Sequence, residues 1–469
     1  MNFVLASHDT RRLVTADRGS PVRAEASRDS GWSLACPDCG ERLRDGRSPL
    51  PEYGLLSCDC ARYPVVAGIP VLLRGRLPGT ACTVEELADL VRQGRHEDAL
   101  LAATTPGSSG AADLPRWHRF LFPQAVAARI QRRRRAKAVA GWARLVRALA
   151  AGGGPDTRDL IQAYFDVSGG TRHAADYFIY RFGQPRHLAA LAVAGRLDPE
   201  AGPVLDLGCG AGHVARHLRG RFGASSVVGV DLNFFLLLLA RTRIAPGAEF
   251  VCCDIERDLP FPDASFGSAI ASNVLHFLGA KRHAVAELER VVAPDGMVGV
   301  CSLRQRYRPH ATANLAMSPS GYLRLFRRTR PRLFLESDVL QRSTAASGDP
   351  FGRRCDEDAA EQADLLTILA CEDWTAQDEV HGEDWLALEH PALNPLYSWR
   401  ETRADGSVHA HLESPSPLFR AENIAAEPCL PVDVELPAEV VNALRQGRWL
   451  PAMRSLAARG VVVDLPKRY

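Results

Sequence analysis

The sequence lacks any run of eighteen apolar residues; Phe234 to Ala240 (FFLLLLA) is far too short to cross a bilayer, so no membrane span is expected. Its first residues, MNFVLASHDTRR, lack the apolar core of a secretory signal, so secretion is not expected and a cytoplasmic location is. Net charge is almost absent: 57 Lys and Arg against 55 Asp and Glu leave +2, which gives no global pull towards nucleic acid or membrane. No internal repeat or long low-complexity tract is evident. What is there is 46% apolar and 24% charged, the balance of a soluble globular protein, with 469 residues for two or three domains.

The informative stretch is VLDLGCGAGH, residues 204–213, with VVGVDLN following about twenty residues on and placing Asp231 at the end of a second apolar run. A buried strand breaks into glycines at Gly208, Gly210 and Gly212, and AGHVARHLRG then takes helical spacing. Glycines remove the side chains that would keep a ligand off the backbone, the first N–H groups of a helix face outward unpaired, and an acid ending the next strand can hold two ribose hydroxyls. A nucleotide crevice is the expected result. A dinucleotide fold would show GxGxxG; here the spacing is GxGxG with Asp206 two residues ahead of the first glycine.

This pattern resembles motif I of the class I S-adenosylmethionine-dependent methyltransferases, closest to the ubiquinone/menaquinone-type subgroup (methyltransferase type 11-like). FVCCDIERDLPFPDASFGSAIASNVLHFL is similar to that family's third and fourth strands, and AELERVVAPDGMVGVCS to its fourth helix and fifth strand. The resemblance implies an α/β fold, a Rossmann-like sheet with helices on both faces, and methyl transfer from S-adenosylmethionine. It implies that Asp206 orders the glycine turn and approaches the methionine amino group, and that Gly208, Gly210 and Gly212 admit the cofactor. Asp231 would hold the ribose, Leu232 pack on the adenine, Asp254 accept the adenine amino proton, Ile255 flank the base and Asn273 face the methionine end. His276, in SNVLHF, is the best placed candidate for a catalytic base, with packing or substrate contact as the alternative. His213 and His217 have metal-like i, i+4 spacing but no third ligand, and are expected on an exposed helix face.

Of twelve cysteines, eight are scattered. The others form CPDC and CDC, placing Cys36, Cys39, Cys58 and Cys60 as a possible tetrahedral thiolate set for a structural zinc. With YPVVAGIPVLL behind them they resemble the zinc-ribbon family that activates tRNA and protein methyltransferases. The CxC pair departs from the usual CxxC, so a metal-free ribbon stays open.

The expected organisation is a flexible tail at 1–30, the ribbon at 31–76, a helical linker at 77–160, the methyltransferase domain at 161–393 and a C-terminal α+β module of unknown role at 394–469. The linker is capped by Thr83 and carries RRRR at 132–135, read either as a phosphate-binding face for RNA or as the solvated side of a helix whose Ile130, Val139, Trp142 and Leu145 pack inward. Aromatics are only 7% of the chain yet crowd residues 164–182, where one or two of them, with His173 or Arg181, could face cofactor or substrate. Residues 304–350 read as an insertion beside the active-site mouth, DEDAAEQADLLTILACEDW as a helix, and WLALEHP as the last strand. Two functions compete: methyl transfer to a small molecule, as in specialised-metabolite biosynthesis, and methyl transfer to RNA or protein recruited by ribbon and basic helix. SNVLHF, lacking an NPPY-type sequence, favours the first.

Overall fold

The computed structural model describes residues 32–47, 49–107, 124–312, 314–345, 349–375, 388–424 and 426–469. The tail expected at 1–30 lies outside them. A twelve-stranded sheet forms the spine, with order β1-β2-β3-β4-β5-β8-β7-β6-β9-β10-β12-β11. Its centre is parallel: β6 (Val204–Leu207), β7 (Val227–Asp231), β8 (Glu249–Cys253), β9 (Phe266–Ser272) and β10 (Val292–Arg304). These strands are buried on both faces, which is why they read as nearly unbroken apolar runs. The chain order reverses between β6 and β9, and the crevice above that point is where such sheets bind ligands.

The far edge differs from the sequence reading. It is closed by β11 (Arg330–Leu335) and β12 (Leu365–Cys371), each antiparallel to its neighbour. Residues 304–350 therefore contribute a strand and the helix Glu336–Thr344 to the fold itself, where an insertion was expected. In DEDAAEQADLLTILACEDW only Glu357–Gln362 is helical, and LLTILAC is strand β12. A seven-residue apolar run has no period that separates helix from strand, and pairing on both sides decides it here. Trp385 to Ala387 of WLALEHP lie outside the described residues.

The near edge is extended by the cysteine-bearing segment: β1 (Ser33–Ala35), β2 (Arg42–Arg47), β3 (Tyr53–Ser57), β4 (Arg62–Val66) and β5 (Ile69–Leu72). Strand β5 runs parallel to β8, pairing Val71 with Cys252 and Leu72 with Cys253, so the open edge of the parallel sheet is covered within the chain. Trp32, Leu34, Leu56 and Tyr63 share one core with Val251, Leu259 and Phe261.

The helices at 84–104 pack on β3 and β4, and the helix at 124–150 packs on His96–Thr104 and on the helix Thr157–Ser168. Thr83 caps the first, accepting from Glu86 N while Glu86 returns a bond to Thr83 N. Trp142 is buried against Phe235 and Tyr164, whereas Arg133 and Arg134 stay in solvent.

The C-terminal residues form a three-stranded sheet, Tyr397–Thr402, Val408–Leu412 and Asp433–Leu436, and a strand pair, Pro391–Leu393 with Val462–Asp464. They are tied to the main domain by Arg216 on Asp464 at 2.6 Å, by Asn394 Nδ2 donating to Gly183 O at 3.0 Å, and by Tyr469 donating to the carbonyl of Ile179. Among the described residues no helix is long and apolar enough to cross a membrane.

Candidate active site and cysteine cluster

A cavity of about 360 Å³ opens above the β6/β9 switch point. Its lining comes from the glycine turn, the ends of β7 and β9 and the helix Arg172–Ile179, together with Arg304, Thr312 and Glu422. This size lies within the range of small-ligand pockets.

Gly208, Gly210 and Gly212 all have positive φ. At Gly208 a Cβ would stand 2.4 Å from Val274 Cγ2, so neither strain nor space admits a side chain there. The turn is held from the neighbouring strand: Asp231 Oδ2 accepts from Gly210 N at 2.9 Å and Oδ1 from Asn233 N at 2.9 Å. Asp206 is buried, and its Oδ2 has no hydrogen-bond partner. Burial pushes its carboxyl up to about 7, Asp231 adding to the rise while the Ala215 N–H and Arg181 oppose it. Asn273 sits in the left-handed region at φ 59, which Asn tolerates; its Nδ2 donates to Tyr177 Oη at 3.1 Å and its buried Oδ1 is unpartnered. Two orphaned acceptors thus border one cavity, a costly arrangement unless a donor-bearing ligand fills it.

Of the residues expected from sequence, Asp206, Gly208, Gly210, Asp231 and Asn273 line this cavity. Gly212 caps the helix His213–Phe222 behind it. Leu232 follows β7, Asp254 and Ile255 follow β8, and none of the three lines the cavity. His276 does not line it either. It lies fully buried in the turn Leu275–Phe277, which directs Phe277 to the cavity instead, and burial with the charges of Arg304 and Arg186 holds its imidazole down at about 2. The base role expected of His276 has no support in this placement. His213 also differs from expectation: it is buried, with Nε2 3.1 Å from Phe178 O, and burial lowers it to about 3.

Sequence reasoning missed Ser272, Arg304, Thr312 and Glu422. Arg181, buried, donates to Ser272 Oγ at 2.8 Å, and no carboxylate among the described residues lies within ion-pair distance of it. Arg304 was hidden at the end of an apolar strand, and Glu422 in a segment with no recognisable signal.

Asp206 carries a pH prediction. Its carboxyl is raised in the fold, so the native state holds a proton that the unfolded chain has released, and stability contributed by this group falls as pH rises from about 4 towards 7. Asp206→Asn should raise the Tm of the ligand-free protein at pH 8 and leave it nearly unchanged at pH 4, while weakening nucleotide binding; equal shifts at both pH values would contradict this.

The second cluster is in the ribbon. Sγ of Cys36 lies 3.6 Å from Cys60, Cys39 3.8 Å from Cys58, and Cys58 3.4 Å from Cys60. Four sulfurs bound at about 2.3 Å to one tetrahedral ion stand about 3.8 Å apart, so the set fits despite its CxC pair. All four are free thiols.

The parallel sheet with its reversal of strand order, the single antiparallel strand β12 set between β10 and β11, and a cavity at the switch point define the class I methyltransferase fold. Residues 205–300 match the family model described as a methyltransferase domain, and the chain carries such a domain there. It is 32% identical over 146 residues to the malonyl-[acyl-carrier protein] O-methyltransferase of Methylovorus sp., covering 29% of this chain and 48% of that protein. It is 30% identical over 137 residues to the ubiquinone/menaquinone biosynthesis C-methyltransferase of Desulfotalea psychrophila, covering 29% and 55%. The chain thus spans about half the length of the curated relatives it matches. Among solved structures, a chain of the Haloferax volcanii complex between the Trm112 methyltransferase activator and a methyltransferase aligns with 19% identity, 43% of this chain, 93% of that one and a TM-score of 0.32.

Proposed function

We propose that this chain transfers a methyl group from S-adenosylmethionine to a small-molecule acceptor, in the cytoplasm and in specialised-metabolite biosynthesis. The observation that carries the reading is the pair of unsatisfied acceptors, Asp206 Oδ2 and Asn273 Oδ1, beside a glycine turn that no side chain could occupy. These residues fit the cofactor: Asp206 and Asn273 would hold its methionine end, Asp231 its ribose, and the glycines would let its body lie on the backbone. Leu232, Asp254 and Ile255, on the strand ends alongside, would border the adenine. When bound, the cofactor supplies an electrophilic methyl on sulfur. The protein's contribution is alignment and exclusion of water.

A small acceptor is favoured because the cavity, at about 360 Å³, has the size of a small-ligand pocket. Relatives named for trans-aconitate and fatty-acid methylation support this class. Purified protein given methyl-labelled S-adenosylmethionine and cell extract should label the small-molecule fraction; label confined to RNA or protein would overturn the assignment and make the ribbon and the arginine face recruiting elements.

We further propose that the cysteine cluster binds one zinc, which ties the turn after β1 to the turn between β3 and β4. Metal analysis should find about one zinc per chain, and Cys36→Ser should lose it and lower the Tm. Full zinc retention in that variant would contradict the four-sulfur site.

A further inference from the structure

Among the described residues the C-terminal module reaches the cavity lining through one side chain, Glu422, which meets Arg304, Thr312 and a histidine there. We propose that His173, oriented by Glu422, accepts the proton of the methyl acceptor, so that the C-terminal module completes the active site. The inference rests on the methyl-transfer reading above.

Glu422 lies on the helix Pro417–Asn423, which Ser416 caps through Phe419 N. Its side chain is only 6% exposed, and its backbone carbonyl accepts from Arg186. Oε1 accepts from Arg304 Nη2 at 2.8 Å and from Thr312 Oγ1. Oε2 stands 2.8 Å from His173 Nε2. Burial alone would raise this carboxyl, yet the Thr312 hydrogen bond and the Arg304 charge outweigh it and hold it below its usual range. An ionised carboxylate only accepts, so the hydrogen in the contact with His173 belongs to Nε2. The lone pair of the neutral ring is then on Nδ1. That atom has no hydrogen-bond partner and is closed to water in the ligand-free protein, so an acceptor entering the cavity reaches it only by moving the side chains that cover it.

His173 is on the helix Arg172–Ile179, and it lines the same cavity as Gly208, Asp231 and Asn273. One turn on, Tyr177 meets Asn273, which fixes that helix over the end of β9. The other histidines near the site are less suited. His276 is outside the cavity, and the buried His213 has a ring nitrogen against Phe178 O. A buried carboxylate holding one imidazole nitrogen so that the other can take a proton is the arrangement that general-base catalysis requires.

The acceptor is an O–H or N–H group that water at neutral pH does not deprotonate. Its proton passes to His173 Nδ1. The freed pair forms the bond to the methyl carbon, the carbon–sulfur bond breaks with its electrons staying on sulfur, and the imidazolium is left beside the Glu422 carboxylate. The charged groups facing His173 across the cavity are Glu422 from the C-terminal helix, Arg304 from β10, Arg181 after its own helix, and Asp206 and Asp231 from the strand ends.

The test combines three measurements on the full chain. Titration with S-adenosylhomocysteine checks the underlying reading: wild type, His173→Asn and Glu422→Gln should all bind it within about twofold, and a wild type that does not bind would end the methyl-transfer account. Nitrogen-15 NMR of histidine-labelled protein, with His173 assigned by its loss in His173→Asn, should show the neutral Nε2–H tautomer at pH 8. Methyl transfer into the small-molecule fraction should fall about 10²- to 10⁴-fold in His173→Asn. Glu422→Gln should fall less, and in it the Nε2–H tautomer of His173 should no longer predominate, because the carboxylate that fixes the ring is gone. A wild-type Nδ1–H tautomer, or undiminished transfer by a His173→Asn variant that still binds S-adenosylhomocysteine, would overturn the proposal while leaving the methyl-transfer reading standing.

Discussion

Asp231→Ala should lower the affinity for S-adenosylhomocysteine by about 100-fold or more. Two hydroxyl-to-carboxylate bonds account for most of that, at about 1.5–3 kcal/mol for each hydrogen bond to a charged group. The same carboxylate also accepts from Gly210 N and Asn233 N, so its loss frees the glycine turn that the ligand lies on. The fold should survive, because β7 stays paired with β6 and β8 through its backbone. Calorimetry, with circular dichroism as the control for folding, reads both effects. Affinity within threefold of wild type would remove Asp231 from the ribose role.

Trp142→Ala should cost about 3–5 kcal/mol, the range for deleting a large buried aromatic, and this is a large part of the stability of an ordinary domain. Trp142 is 1% exposed, its ring centroid is 4.8 Å from Phe235 and 5.7 Å from Tyr164, and its Nε1 donates to Thr104 O at 3.0 Å. Phe235 follows β7 and Tyr164 bonds Asn233, so the loss should reach the cofactor side of the sheet. Arg134→Ala, on the exposed face of the same helix, should change stability by less than about 0.5 kcal/mol. Equal destabilisation by the two variants, measured as unfolding midpoints, would show that the helix does not pack as described.

The parts legible in the sequence are those specified locally. Asp206, the three glycines and Asp231 lie within one strand–turn–helix–strand unit, where positive φ at the three glycines and the bond from Gly210 N to Asp231 set the residue types locally. The four cysteines could be grouped by spacing, although their convergence depends on pairing between β3 and β4. Glu422 was not legible. It meets Arg304 from 118 positions away in the chain, and nothing in PLFRAEN distinguishes a buried carboxylate from a solvated one. His276 misled because a position after β9 borders the cavity only if the turn presents it, and Leu275–Phe277 presents its neighbour. Strand β12 was masked by the acidic residues ahead of it, which suit a helix start and do supply one for six residues.

The measurement closest to the central claim is a titration of S-adenosylhomocysteine into the wild-type chain. The account predicts one site per chain with micromolar or tighter affinity, competed by S-adenosylmethionine and lost in Asp231→Ala. No heat and no shift in Tm at millimolar ligand, with the protein folded, would contradict it.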